Sequence, residues 1–123
     1  YSLLADYEIE DPVVNLSEQW IRKHLDQEIR VKDIADAAAV SPRTLIRRFK
    51  NSLDESPQSL IQKLRLEKSK FLLETTRLPW SEIVSRCGYR DDSSFRRLFK
   101  RHCGVSPGDY RQRFNPSDKS LVH

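Results

Sequence analysis

The amino-acid sequence repeats itself at an interval of fifty residues. Pro42-Arg43-Thr44-Leu45-Ile46-Arg47-Arg48-Phe49-Lys50 precedes Ser56-Pro57, and Asp92-Ser93-Ser94-Phe95-Arg96-Arg97-Leu98-Phe99-Lys100 precedes Ser106-Pro107. A shift of 50 superposes Arg47 on Arg97, Phe49 on Phe99, Lys50 on Lys100, Ser56 on Ser106, Pro57 on Pro107 and Gln62 on Gln112, while Leu45 meets Phe95 and Leu60 meets Tyr110. A repeat of this length signals one supersecondary unit used twice. Each copy reads as a basic amphipathic helix. Two such helices are what a protein needs to touch a double helix at two places.

Charge follows the repeat. The chain of 123 residues has a net charge of +4. Residues 1–20 contain Asp6, Glu8, Glu10, Asp11 and Glu18 and no Lys or Arg, a balance of −5 that leaves +9 on the remainder. Basicity gathered in the repeated region is the electrostatic footprint of a polyanion binder. No apolar run approaches a membrane span. The start lacks a signal-peptide pattern and a Met, so the chain reads as a cytoplasmic fragment of a longer protein.

Helical period runs through the chain, with only three Gly to interrupt it. Residues 1–11 read as an acidic linker following a missing N-terminal domain, and 116–123 as a flexible tail. Val14, Trp20, Ile21 and Leu25 predict a helix over 12–26, whose apolar face Leu16 joins or flanks. Ile34, Ala35 and Ala38 predict a short helix over 31–39. Ser41 caps the next helix and Pro42 suits its first position. That helix runs over 42–53, with Leu45, Ile46 and Phe49 inward and Arg43, Arg47 and Lys50 on another face. Two short helices joined by a tight turn, the second basic, make a helix-turn-helix.

A long helix over 57–75 follows, with Leu60, Ile61, Leu64, Phe71 and Leu72 on its apolar side. The pattern then restarts. Trp80 to Cys87 reads as a helix stopped by Gly88. Asp91, Asp92 and Ser93 offer caps for a second basic helix over 92–103, and Ser106-Pro107 starts a last one carrying Tyr110 and Phe114. The expected architecture is all-α with about seven helices: a helix-turn-helix subdomain over 12–56, a linker helix over 57–75 and a second subdomain over 76–115. The turn between the paired helices is one residue longer in the second copy, so Ile34 aligns with Ile83.

Trp20, Trp80, Phe49, Phe95, Phe99 and Tyr110 are expected in the core, and Cys87 and Cys103 as small buried hydrophobes. Two cysteines form neither a disulfide framework nor a metal spacing. His24, His102 and His123 are scattered, so no metal or cofactor is expected. No nucleophile–base arrangement or glycine-rich phosphate loop occurs, which argues against an enzyme.

A rigid helix of nineteen residues is roughly 28 Å long. Major-groove segments on one face of B-DNA repeat every ~34 Å. Such a helix could therefore hold two recognition helices near that spacing.

These residues also carry a resemblance. Ile34-Ala35-Asp36-Ala37-Ala38 with Ser41-Pro42-Arg43-Thr44-Leu45, Ile83-Val84-Ser85-Arg86-Cys87-Gly88-Tyr89, Ser94-Phe95-Arg96-Arg97-Leu98-Phe99-Lys100-Arg101, Gly104-Val105-Ser106-Pro107 and Tyr110-Arg111 together resemble the C-terminal DNA-binding domain of AraC/XylS-family bacterial transcription regulators, over about 13–114. The segment from Pro12 to Ile21 resembles members whose N-terminal domain is amidotransferase-like. The resemblance implies transcription regulation on double-stranded promoter DNA in the cytoplasm, as an activator or a repressor, with RNA polymerase as a partner. It also implies an N-terminal domain that senses a small-molecule effector or mediates dimerisation.

It places base-reading positions on Arg43, Ile46 and Arg47 in the first helix and on Asp92, Ser93, Arg96 and Arg97 in the second. Thr44, Lys50 and Lys100 complete the expected DNA-binding set, and Arg48 and Arg101 are expected on phosphate or solvent. Ile46 either touches a thymine methyl or packs. Asp92 either caps its helix or accepts from a cytosine amino group. Asp54 stands where the second copy has Gly104. An alternative has the first half bind DNA while the second docks on RNA polymerase or a partner domain.

Overall fold

The computed structural model describes residues 11–116; the acidic residues 1–10 and the tail 117–123 lie outside it. Among the described residues the elements are seven α-helices: α1 (Pro12–Lys23), α2 (Val31–Ala37), α3 (Pro42–Leu53), α4 (Pro57–Thr75), α5 (Trp80–Arg86), α6 (Asp92–Cys103) and α7 (Pro107–Phe114). The expected all-α fold is therefore present. The chain divides into two compact units, and the division falls inside α4 between Arg65 and Leu66.

Local chemistry explains most boundaries. The Ser41 hydroxyl accepts from the Thr44 amide at 3.1 Å, the Ser56 hydroxyl from Ser59 at 3.1 Å and the Ser106 hydroxyl from Asp109 at 3.1 Å. Each is followed by Pro, which pre-sets the first helical φ and has no amide hydrogen to leave unbonded. Asp11-Pro12 uses the same device. Asp11 Oδ1 accepts from Val13 at 2.9 Å and from Val14 at 3.4 Å, so Asp11 begins α1.

The short helices end earlier than their periodicity predicts. α1 stops at Lys23, where the His24 amide bonds to Ile21 O at 3.0 Å. The His24 ring donates from Nδ1 to Trp20 O at 2.7 Å and stacks on the Trp20 ring at 4.1 Å. α2 and α5 end in the same six-residue turn. Val40 N bonds to Ala35 O and Ala39 N to Asp36 O; correspondingly Tyr89 N bonds to Val84 O and Gly88 N to Ser85 O. This closure needs a left-handed residue after the cap. Gly88 supplies it at φ 83°, and Ala39 at φ 59° despite its Cβ.

The first unit packs Val14, Ile21, Leu25, Ile34, Ala35, Leu45, Phe49, Leu60, Ile61 and Leu64. Arg65 ties off its α1–α2 connection by donating to Gln27 O at 2.8 Å and Leu25 O at 3.3 Å. The second unit packs Leu66, Leu72, Leu73, Ile83, Val84, Cys87, Phe95, Phe99 and Tyr110. There Asn115, itself buried, donates at 2.9 Å to both Leu73 O and Thr76 O, satisfying carbonyls that the end of α4 leaves open.

Core expectations held for Phe49, Phe95 and Phe99, which are fully buried, and for Tyr110. Trp20 and Trp80 are half-buried against their cores. Cys87 is buried, and Cys103 is half-buried, its thiol pushed up by that burial. Of the two places open to Leu16 the structure takes the second, and two further expectations, for Phe71 and Ile46, need correction. Leu16 flanks the apolar face of α1 and is exposed. Phe71 is exposed rather than inward. Within the second unit α4 buries Leu66, Ser69, Leu72 and Leu73, and Phe71 falls off that face. Ile46, expected inward with Leu45 and Phe49, is 48% exposed.

Candidate nucleic-acid interface

α3 and α6 each present a stripe at helical spacing i, i+3, i+4, i+7. On α3 it is Arg43, Ile46, Arg47 and Lys50, all exposed; on α6 it is Ser93, Arg96, Arg97 and Lys100, all exposed. Leu45 and Phe49 hold α3 down, and Phe95 and Phe99 hold α6 down at the equivalent positions. The shift of 50 therefore aligns exposure as well as sequence.

The remaining two expected site residues are engaged within the fold. Thr44 is half-buried, and its Oγ1 accepts from the Ser41 hydroxyl at 3.0 Å, which makes it part of the cap. Asp92 is not the cap of α6. That role belongs to Asp91, which accepts from the Ser93 amide at 3.1 Å and the Ser94 hydroxyl at 2.5 Å. The hydrogen bond from Ser94 holds the Asp91 carboxyl below the usual carboxylate range. Asp92 follows the cap and pairs with Arg96 at 3.4 Å.

Arg96 has a second neighbour: its guanidinium carbon lies 5.9 Å from the Trp80 ring centroid. Trp80 stacks on Phe95 at 5.3 Å, and Tyr89 stacks on Phe95 at 4.2 Å. The aromatic residues of the second core thus extend to a cation of its exposed stripe. Arg97 Nη2 donates to Ser94 Oγ at 3.4 Å. On α3 the only such restraint among the stripe residues described is Lys50, which pairs with Asp54 at 2.5 Å. The Lys50 ammonium holds the Asp54 carboxyl below its ordinary value. Asp54 sits at φ 55° and Gly104 at φ 81°, so both copies end the helix in the left-handed region.

Arg48, expected on phosphate or solvent, is committed elsewhere. Its Nε and Nη2 donate to the two Asp11 carboxylate oxygens at 2.6 and 2.9 Å, and this contact is the main reason the Asp11 carboxyl lies below its usual range. One carboxylate therefore both caps α1 and grips the side of α3 away from the basic stripe. Asp11 was legible as a cap from the Asp-Pro pair, which matches the Ser-Pro pairs elsewhere. Its reach to Arg48, 37 residues on, had no local signal. Arg90 is exposed immediately before the α6 cap, a cation that periodicity alone did not single out because it lies in the turn.

A family profile described as a helix-turn-helix domain matches residues 34–113. The transcriptional activator RhaS of Enterobacter sp. (strain 638) is 34% identical over 111 residues, covering 90% of this chain and 40% of that protein. The chain thus spans about 40% of the length of that relative. A Chromobacterium violaceum transcriptional regulator described as containing an AraC-type DNA-binding domain superposes with a TM-score of 0.80 at 27% identity, covering 85% of this chain and 95% of that one. The DNA-binding domain of the global transcription factor AdpA, solved in complex with a target DNA, superposes with a TM-score of 0.74 at 34% identity, over 85% of this chain and 94% of that one. With the repeated helix-turn-helix, the paired exposed stripes and these matches together, the chain belongs to the AraC/XylS-type helix-turn-helix family, as a sequence-specific DNA-binding domain of a transcription regulator.

Proposed function

We propose that the chain binds one promoter duplex with α3 and α6 in successive major-groove segments. The observation that carries this reading is the pair of matched stripes, Arg43/Ile46/Arg47/Lys50 and Ser93/Arg96/Arg97/Lys100, each exposed on a helix anchored by two buried side chains. A major groove admits one α-helix, and Arg pairs bidentately with guanine O6 and N7. α4, at roughly 28 Å, comes close to the ~34 Å between groove segments, and a bend in the DNA makes up the difference.

Arg43, Arg47, Arg96 and Arg97 are the base readers with hydrogen-bond donors, and Ser93 is a shorter one. Lys50 and Lys100 neutralise phosphate. Thr44 and Asp92 act one step back, Thr44 by completing the cap and Asp92 by orienting Arg96. The AdpA domain bound to its target supports the reading by analogy of fold.

In the full protein this domain activates transcription in the bacterial cytoplasm alongside RNA polymerase, with any small-molecule effector acting through a further domain. No described helix is long and apolar enough to cross a membrane.

Footprinting with Arg43→Ala/Arg47→Ala and with Arg96→Ala/Arg97→Ala tests the bipartite reading. Each pair is expected to erase protection of one groove segment and weaken binding of the whole site. If Arg96→Ala/Arg97→Ala leaves both affinity and footprint intact, the second half is a docking module instead. Affinity is expected to fall steeply with salt, since each phosphate contact releases counterions.

A further inference from the structure

One side chain of the α3 stripe cannot make the contacts that its neighbours make. Ile46 is 48% exposed, and the buried side of α3 is supplied by Leu45 and Phe49 without it. It stands three residues after Arg43, next to Arg47 and four residues before Lys50, so cations surround it on the outward face. A single exposed apolar residue is ordinary on a protein surface. This one occupies the position that Arg96 holds in the other copy, where Asp92 and Trp80 restrain a guanidinium. The two equivalent slots therefore differ in kind: one is apolar, the other a positioned donor fork.

In the major groove the only apolar group that distinguishes a base pair is the thymine 5-methyl; every other feature is a hydrogen-bond donor or acceptor. Against those polar atoms Ile46 gains nothing and leaves them unpaired. Resting on the reading of α3 as a groove helix, we propose that Ile46 is a specificity-determining residue that packs on a thymine 5-methyl group. The base pair beneath the middle of α3 is then A·T, while the pair beneath Arg96 is G·C.

The experiment uses the 123-residue chain and a duplex enriched by it from a random-sequence pool. Hydroxyl-radical footprinting of the wild type and of Arg47→Ala identifies the segment under α3. Each thymine of that segment is then replaced by deoxyuridine, which removes the methyl and leaves pairing intact. One replacement is expected to weaken binding about fourfold, or ~0.8 kcal/mol at ~1.4 kcal/mol per tenfold. Ile46→Ala is expected to bind the thymine and deoxyuridine duplexes equally while unfolding at the wild-type temperature. Ile46→Arg is expected to shift the preferred pair at that position to G·C.

If no thymine in the segment is sensitive, or if Ile46→Ala keeps the fourfold discrimination, the proposal is overturned while the DNA-binding reading stands. If no duplex is enriched at all, both fall.

Discussion

The two halves of the molecule follow one plan with different materials. The first core is mainly aliphatic around Phe49, whereas the second is an aromatic assembly in which Trp80, Tyr89 and Phe95 stack and Phe99 meets Tyr110 edge-on at 5.5 Å. The first half places Ala39 and Asp54 in left-handed conformations where the second places Gly88 and Gly104. At position 48 the first half uses an arginine gripped by Asp11; at the matching position 98 the second packs a leucine. The first exposed stripe holds an isoleucine where the second holds an arginine restrained by an acid and a ring. The two halves share a backbone plan and an exposure pattern and differ in side-chain chemistry. In the proposed two-groove reading the two stripes meet different half-sites.

The largest test of this comparison is whether each core stands by its own aromatics. Phe95→Ala removes a fully buried ring and is expected to destabilise the second unit by about 3–5 kcal/mol, with amide exchange accelerating in residues 66–115 before 12–65. Phe49→Ala should produce the opposite order. Equal acceleration in both halves would break the comparison.

Next come the readers. Arg47→Ala and Arg97→Ala should each lower affinity about tenfold or more, relaxing base preference only in their own segment of a selected site. A uniform loss across sequences would reassign that arginine to phosphate.

The left-handed positions give a smaller effect. Ala39→Gly is expected to stabilise the chain by about 0.5–1 kcal/mol, because glycine reaches φ > 0 without steric cost. Gly104→Ala is expected to destabilise it by about 1 kcal/mol. A Cβ at Gly104 meets nothing within 4 Å, so conformational strain is the only cost. Thermal unfolding of the two variants checks both signs.

The smallest effect is on acid stability. Asp11 and Asp91 have carboxyl groups held below their ordinary value of 3.8. Depressed folded values mean that the stability they contribute is present above the unfolded value and is lost as pH falls through the folded one. Asp11→Asn and Asp91→Asn keep a capping side chain. Each should therefore flatten part of the loss of stability below about pH 4, the first in the front unit and the second in the rear. Acid titrations that overlay the wild type would remove these carboxylates from the account.

The helices themselves were plain in the sequence because their signals are local. Ser41-Pro42, Ser56-Pro57 and Ser106-Pro107 mark starts through bonds spanning three residues, and Gly88 and Gly104 mark stops through their own φ. The same locality led to errors at α1 and α2. Their periodicity runs past the residues where His24 and Ala39 close them, and alanine carries no sign that it will turn left-handed. Asp91, Asp92 and Ser93 offered three adjacent caps, and only the geometry assigned Asp91 to the helix and Asp92 to Arg96.

The order of elements, the duplication, the basic stripes and the family were determined by the sequence alone, since caps, periods and charges are properties of short stretches. Tertiary structure decided which faces are covered. The second unit takes up Leu66, Ser69, Leu72 and Leu73 of α4, which left Phe71 exposed. Leu45 and Phe49 fill the space beneath α3, which left Ile46 outside among arginines. Asp11 reaches across to Arg48, which took that cation away from phosphate and solvent. In each case the deciding partner lies in another element or another turn of the helix, and burial depends on that partner rather than on the residue's own hydrophobicity.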